Sequence, residues 1–75
     1  DAGKTGAYLA ALRKARGMTQ QEGGGQLGVS NKTVSKWENG AGLPDITVLP
    51  ALAELYGVTA DDILAGETLR GRPAE

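Results

Sequence analysis

The chain is 75 residues long and 40% hydrophobic, and its aromatic residues are one Trp and two Tyr. This size and composition predict a single small domain with a mainly aliphatic core. The sequence contains no cysteine and no long apolar run. It therefore excludes a disulfide framework and a membrane-spanning helix, and it favours a cytoplasmic protein.

The residue types that catalysis needs are scarce. The sequence has no histidine and no cysteine, so it offers neither a nucleophile with an adjacent base nor a paired acid and base. Asp61 and Asp62 are neighbours but have no histidine to complete a metal site. We therefore expect no enzymatic activity, no cofactor and no metal ion.

Charge is distributed unevenly along the chain. The formal net charge is −1, which by itself disfavours binding to nucleic acid. Residues 1–40, however, carry six Lys or Arg against three acids, a net +3, whereas residues 41–75 carry two against six, a net −4. A dipolar domain of this kind can turn its basic side towards a DNA duplex.

The first predicted helix covers about residues 6–16 and follows a short tail at residues 1–4. Its apolar residues recur at helical spacing, and Gly17 can end it. Arg13 lies at the edge of the apolar stripe, where the sequence alone leaves a solvated arginine nearly as favoured as a partly buried ion pair. The inward set is Tyr8, Leu9, Leu12 and Ala15.

A second helix is predicted to begin at Gln20. Thr19 and Glu22 have the spacing of a capping box, in which each side chain accepts a hydrogen bond from the other residue's backbone N–H. Leu27 points inward. Gly28 can adopt the left-handed conformation that ends a helix, so the turn that follows is only about three residues long.

The third helix begins after Ser30, which can cap it. Val34 and Trp37 share one side, so we expect Trp37 to pack in or beside the core. The other side is short, polar and cationic, which suits the edges of bases in a major groove, although such a face on an arbitrary helix is usually only solvated. That face consists of Asn31, Lys32, Ser35 and Lys36.

Gly23, Gly24 and Gly25 interrupt the second helix. Helix-interior glycines cost about 1 kcal/mol each relative to alanine, and an absent core leucine costs about 2 kcal/mol more. A natural variant with a loosened helix, a deliberate substitution and a recorded sequence that misses the true side chains all remain open. A phosphate cradle is the weakest reading, because the run lacks the lysine of a nucleotide loop. We expect the helix to form but to fray.

Two more helices follow the loop at residues 40–44. Asp45 or Thr47 opens the fourth helix, and the later start is favoured because Pro50 then lies in the first turn, where a missing N–H is harmless. Gly57 ends this helix. Its buried face consists of Leu49, Leu52, Ala53, Leu55 and Tyr56.

The fifth predicted helix is short. Thr59 caps it, it extends through Leu64, and Gly66 stops it. The aspartates in its first turn complement the positive end of the helix dipole. Residues 67–75 lack periodicity and are predicted to form a tail or linker. Two arginines of this tail, Arg70 and Arg72, could touch phosphate, although a solvated tail is favoured.

Residues 5–66 resemble the lambda-repressor-like helix-turn-helix family, also called the Cro/C1 or XRE type. The segments that carry the resemblance are RKARGMTQQE, QLGVSNKTVSKWENG and LPDITVLPALAELYGVTADDIL. The family usually has a Leu-Ala-charged run where this chain has three glycines. The resemblance implies an all-α, compact five-helix domain of a bacterial DNA-binding regulator.

The resemblance also implies roles for individual residues. Gln20 would contact a phosphate, and Asn39 would hold the DNA backbone after the recognition helix. Arg13 would pair with Glu38 and lock the first helix to the third. Bases or nearby phosphates would be contacted by Asn31, Lys32, Thr33 and Lys36; Ser35 is added from its position on the outward face.

The sequence therefore predicts a repressor-like transcriptional regulator that reads double-stranded DNA. One recognition helix reads only a few base pairs, so tight binding implies a homodimer on a pseudo-palindromic operator. The alternative is a protein-interaction module of the same fold, of the antitoxin or coactivator type, which would account for the acidic balance.

Overall fold

The computed structural model describes residues 1–69, and these residues form five α-helices and no strand. The all-α, five-helix prediction is therefore confirmed, while Arg70 and Arg72 lie outside the described residues. No helix in the described part is long and apolar enough to cross a membrane. The helices are α1 (Ala2–Ala15), α2 (Gln20–Leu27), α3 (Asn31–Glu38), α4 (Leu49–Tyr56) and α5 (Ala60–Ala65).

Helix α1 begins four residues earlier than predicted. Asp1 acts as its N-cap, and its carboxylate accepts a hydrogen bond from the Lys4 backbone N–H at 2.9 Å. Residues 2–4 therefore form the first helical turn, because an aspartate at the cap satisfies a donor that a helix end leaves free. Ala15, predicted to point inward, is instead exposed and lines an open groove.

Close backbone contact joins α1 to the end of α3. A Cβ atom at Gly6 would collide with the backbone oxygen of Trp37 and lie 3.0 Å from that of Glu38. Only glycine allows this approach. The Thr5 hydroxyl donates to the backbone oxygen of Ile63 at 2.9 Å, which fixes α1 to α5 as well.

Seven side chains form the buried core, and they come from every helix except α2. The three most deeply buried, Leu9, Leu52 and Ile63, are at most 1% exposed. Leu27 from α2 is half-buried and packs against this core. The core consists of Leu9, Val34, Trp37, Leu49, Leu52, Tyr56 and Ile63.

Helix α4 begins later than either predicted start. Its N-cap is Val48, which makes no side-chain cap hydrogen bond, and Pro50 lies in the first turn. Neither Asp45 nor Thr47 caps the helix, because residues 46–48 form a separate turn closed by the hydrogen bond from the Val48 N–H to the Asp45 oxygen. The left-handed Gly57 ends α4 as predicted.

Helix α5 has the predicted cap, and it also holds the segment that follows. Thr59 and Asp62 form a capping box. Asp62 is fully buried and accepts a further hydrogen bond from the Leu69 N–H at 2.9 Å. Thr68 bonds the Tyr8 hydroxyl at 2.9 Å. Residues 67–69, expected to belong to the tail, are thus hydrogen-bonded to the domain.

Helix α2 continues through the three glycines, as predicted. Its capping box at Thr19 and Glu22 is complete, and Gly28 ends it with a φ of +75°. The glycines differ in surroundings: a Cβ atom would lie 3.3 Å from the Tyr56 hydroxyl at Gly23, 2.6 Å from the Val29 backbone oxygen at Gly24, and in open space at Gly25.

Candidate nucleic-acid interface

Helix α3 is held to the domain along one side. Val34 is 2% exposed and Trp37 is 6% exposed, so the prediction that Trp37 packs in the core is confirmed. Ser30 caps the helix, and its hydroxyl accepts a hydrogen bond from the Thr33 N–H at 3.2 Å. The two buried anchors fix the rotation of the helix and therefore which side chains face outward.

The opposite side of α3 is open to solvent. Asn31, Lys32 and Lys36 are exposed, whereas Thr33 and Ser35 are half-buried. The geometric condition for groove entry is met, because none of residues 1–69 covers Asn31 or Lys32. Exposed amide and ammonium groups on one helical face can donate to base edges or to phosphates.

Two hydroxyl groups on this helix have partners within the chain. Thr33 shares a hydrogen bond of 3.1 Å with Ser30. The Ser35 hydroxyl accepts from the side-chain amide of Asn39 at 3.2 Å. Asn39 therefore fastens the end of α3 in this structure, and both hydroxyls keep further hydrogen-bonding capacity for an external group.

The ion pair implied by the family resemblance is present behind this face. The guanidinium of Arg13 donates through Nε to Glu38 Oε2 at 2.8 Å and through Nη2 to Oε1 at 2.9 Å. Its Nη1 donates to the Met18 backbone oxygen at 2.7 Å. The Arg13 and Glu38 side chains are only 11% and 5% exposed, so this bidentate pair ties α1 to α3.

Gln20 joins the same cluster from the start of α2. Its Nε2 donates to Glu38 Oε1 at 3.0 Å. One carboxylate thus receives donors from two other helices. Sequence patterns did not reveal this bond, because helical periodicity places each side chain on its own helix but does not show which helices meet.

Glu38 is ionised in this environment. Burial would raise its pKa, but hydrogen bonds from Arg13 and Gln20, together with the attraction of Arg13 and Lys14, hold the pKa below its usual value. The same pair raises the pKa of Arg13, chiefly through the hydrogen bond to Glu38. Burial, followed by the charge of Glu38, raises the pKa of the neighbouring Tyr56.

The described residues place no cluster of metal ligands near α3, and the best-defined groove lies elsewhere. Within residues 1–69, no group of three or more acidic side chains is placed to hold a metal ion. An open groove of about 920 Å³ lies beside α2 and α4, with Leu12, Met18, Leu55 and Tyr56 among its lining residues. The exposed face of α3 remains the main candidate for a functional surface.

The helix arrangement and the outward face of α3 together define a helix-turn-helix domain. A family model described as helix-turn-helix matches residues 9–63. The chain belongs to this family, and its lambda-repressor-like, Cro/C1 or XRE character, predicted from the sequence, is confirmed.

Three relatives show the extent of the similarity. The HTH-type transcriptional activator BcrR of Enterococcus faecalis is 39% identical over 61 residues, which are 81% of this chain, and the chain spans only 30% of that activator. The P22 c2 repressor, solved with synthetic operator 9T, is 32% identical with a TM-score of 0.80, covering 84% of this chain and 96% of the repressor chain. The clp gene regulator ClgR of Corynebacterium glutamicum is 25% identical with a TM-score of 0.76, over 87% and 69% of the two chains.

Proposed function

We propose that this domain is the DNA-binding part of a transcriptional regulator and that it reads a sequence in the major groove with α3. The observation that carries the proposal is the exposure of Asn31 and Lys32 on a helix whose rotation Val34 and Trp37 fix. Asn can address adenine bidentately, and Lys can reach guanine acceptors or a phosphate. The names of the relatives, one of them solved on an operator, support the same function.

The proposed DNA contacts come from two places, the outward face of α3 with its C-terminal end and the start of α2. Asn31, Lys32 and Ser35 would face bases, whereas the exposed ammonium group of Lys36 would reach a base edge or a nearby phosphate. Thr33 and Asn39 would hold the flanking DNA backbone. Gln20 would donate to a phosphate at the start of α2, where the free N–H groups of the first turn also favour an anion.

This domain is proposed to bind a pseudo-palindromic operator as a homodimer. One α3 helix spans only a few base pairs, and two copies on half-sites about one helical turn apart would supply the missing affinity. If the domain binds an operator, the protein would act in the bacterial cytoplasm, with the DNA. Its relatives include both an activator and a repressor, so the proposal extends to regulation but not to its direction.

A protein-interaction role is the alternative, and it has less support. A stable protein interface usually has an apolar anchor at its centre. The outward face of α3 offers only polar side chains. Of the exposed large apolar side chains, Leu43 and Ile46 lie in the loop that follows and Leu64 lies on α5. We also propose binding rather than catalysis, since the sequence provides no histidine or cysteine.

Selection of bound sequences from random duplexes, followed by titration at two salt concentrations, tests the proposal. If four phosphates are neutralised, affinity should fall about 100-fold between 50 and 200 mM salt, because each contact contributes a logarithmic slope of about −0.9. Recovery of a shared sequence would support a base-reading role. Absence of any enriched sequence, or binding that salt leaves unchanged, would contradict it.

A further inference from the structure

The Glu38 carboxylate determines the orientation of the neighbouring Gln20 side-chain amide. A carboxylate oxygen can only accept hydrogen bonds, and the Gln20 amide has one donor atom and one acceptor atom. The Gln20 atom that lies 3.0 Å from Glu38 Oε1 must therefore be the nitrogen. The alternative amide orientation would place two oxygens against each other.

This bond leaves Gln20 with one N–H group free for another acceptor. An amide nitrogen carries two protons, and Glu38 uses one of them. Gln20 is half-buried, so part of its side chain remains open to solvent. The planar amide directs the second N–H away from the carboxylate. Its direction is therefore set as long as Glu38 stays in place.

Glu38 is itself held firmly enough to act as a support. Arg13 binds both of its oxygens, at 2.8 and 2.9 Å, and anchors the pair to the Met18 carbonyl at 2.7 Å. The positive charge of Arg13 also offsets the negative charge of Glu38, so the carboxylate does not add a full repulsive charge near DNA.

We propose that Glu38, fixed by Arg13, is a positioning residue that aims the free N–H of Gln20 at a DNA phosphate. The inference rests on the proposed function and adds a second task to a pair that otherwise only joins two helices. A long glutamine side chain loses conformational freedom when it binds a phosphate. Holding it in one orientation beforehand removes part of that cost.

The test uses a selected duplex in which single phosphates are replaced by neutral methylphosphonates. In the parent protein, one replacement should weaken binding about 10-fold, since a hydrogen bond to a charged group is worth about 1.5 kcal/mol or more. In Gln20→Ala the same replacement should change affinity less than about 2-fold. Gln21→Ala, which alters an exposed amide in the same turn, is the matched control and should keep the 10-fold effect.

The decisive variant replaces the supporting pair while keeping the domain folded. Arg13→Met together with Glu38→Met exchanges a buried ion pair for apolar side chains of similar length, a change that is often neutral for stability. The methylphosphonate effect at the Gln20 phosphate should then fall below about 3-fold. A second phosphate whose effect does not depend on Gln20 should respond as in the parent.

If the double variant does not fold, Glu38→Gln takes its place, because its amide oxygen can still accept one bond. It should reduce the effect to an intermediate value of about 3-fold. An undiminished 10-fold effect in either variant, or no phosphate that depends on Gln20, would overturn the positioning role while DNA reading stands. Failure of the parent to select any sequence would instead overturn the proposed function.

Discussion

The Arg13 and Glu38 pair is the side-chain contact with the largest predicted effect on stability. Both groups are nearly buried and bonded at two positions. Glu38→Gln removes the negative charge and leaves the buried guanidinium without an ionic partner. Removal of one partner from such a pair costs about 3 kcal/mol, so chemical denaturation should show a loss of this size. Equal stabilities of the variant and the parent would contradict the structural role of the pair.

The contribution of Glu38 should depend on pH. The folded-state pKa of Glu38 lies below its usual value, so the stabilisation is fully present above the unfolded pKa of about 4.3 and is lost as the pH falls through the folded pKa. Arg13 keeps its charge there and Tyr56 stays neutral, because the pKa of each is raised. Denaturation of the parent and Glu38→Gln should therefore give a stability difference that is constant near pH 7 and shrinks below about pH 4. A difference that grows with acidity would contradict this assignment.

Substitution of Asn31 and Lys32 tests base contact separately from folding. Both are exposed, so Asn31→Ala and Lys32→Ala should leave the melting temperature nearly unchanged. Each should weaken binding by about 1 to 3 kcal/mol if it contacts a base. Repeating the sequence selection with each variant should also show relaxed preference at one or two positions. Unchanged selectivity in both variants would remove the base-contact assignment.

Helix α2 forms although its three interior glycines have low helix propensity, because both of its ends are capped. Thr19 and Glu22 complete both bonds of the capping box, and Gly28 supplies the left-handed end. In α3 and α5 the valine before the cap is followed five residues later by a valine or an isoleucine, a spacing that lets the two side chains pack together, whereas Gly23 stands five residues after Met18. The helix is therefore specified by its ends and by packing against α3, and we expect it to be the most easily opened helix.

The three glycines of α2 should respond differently to alanine. Gly25 faces open space, so Gly25→Ala should raise the free energy of unfolding by about 1 kcal/mol through helix propensity. Gly24→Ala should instead lower the free energy of unfolding, because its Cβ atom would lie 2.6 Å from the Val29 backbone oxygen and the turn would have to shift. Denaturation of both variants, with amide exchange across residues 20–27, measures the difference. Equal gains would contradict the close contact at Gly24.

Helix ends were easier to predict than contacts between helices. Thr19, Ser30 and Thr59 each fixed a helix start, and Gly28, Gly57 and Gly66 each fixed an end, because capping and left-handed glycine are local effects. The first helix starts earlier than predicted because Asp1 was not recognised as its cap. The fourth starts later than predicted because its N-cap position is taken by Val48, which has no polar side chain.

The candidate site was only partly predictable for the same reason. The helical periodicity of residues 31–38 correctly separated the exposed Asn31 and Lys32 from the buried Val34 and Trp37. Two hydrogen bonds depend instead on how separate segments approach one another. They are the bond from Gln20 to Glu38 and the bond from the Leu69 N–H to Asp62. Such contacts between distant residues leave no periodic signal in a single sequence.

The net charge of −1 is compatible with the proposed DNA-binding role, because the basic and acidic residues are concentrated in different halves of the chain. Helices α1 to α3, which include the outward face of α3, lie in the basic half at residues 1–40. Helices α4 and α5 lie in the acidic half at residues 41–75. Charge repulsion should therefore favour one orientation on the duplex.

We propose above that the outward face of α3 enters the DNA groove. Titration of the isotope-labelled protein with its selected duplex, followed by NMR, reports the bound surface residue by residue. We predict that the largest amide and side-chain shifts occur at Asn31, Lys32 and Lys36, with a second group at Gln20. Largest shifts on α4 and α5, with residues 31–36 unaffected, would contradict the claim.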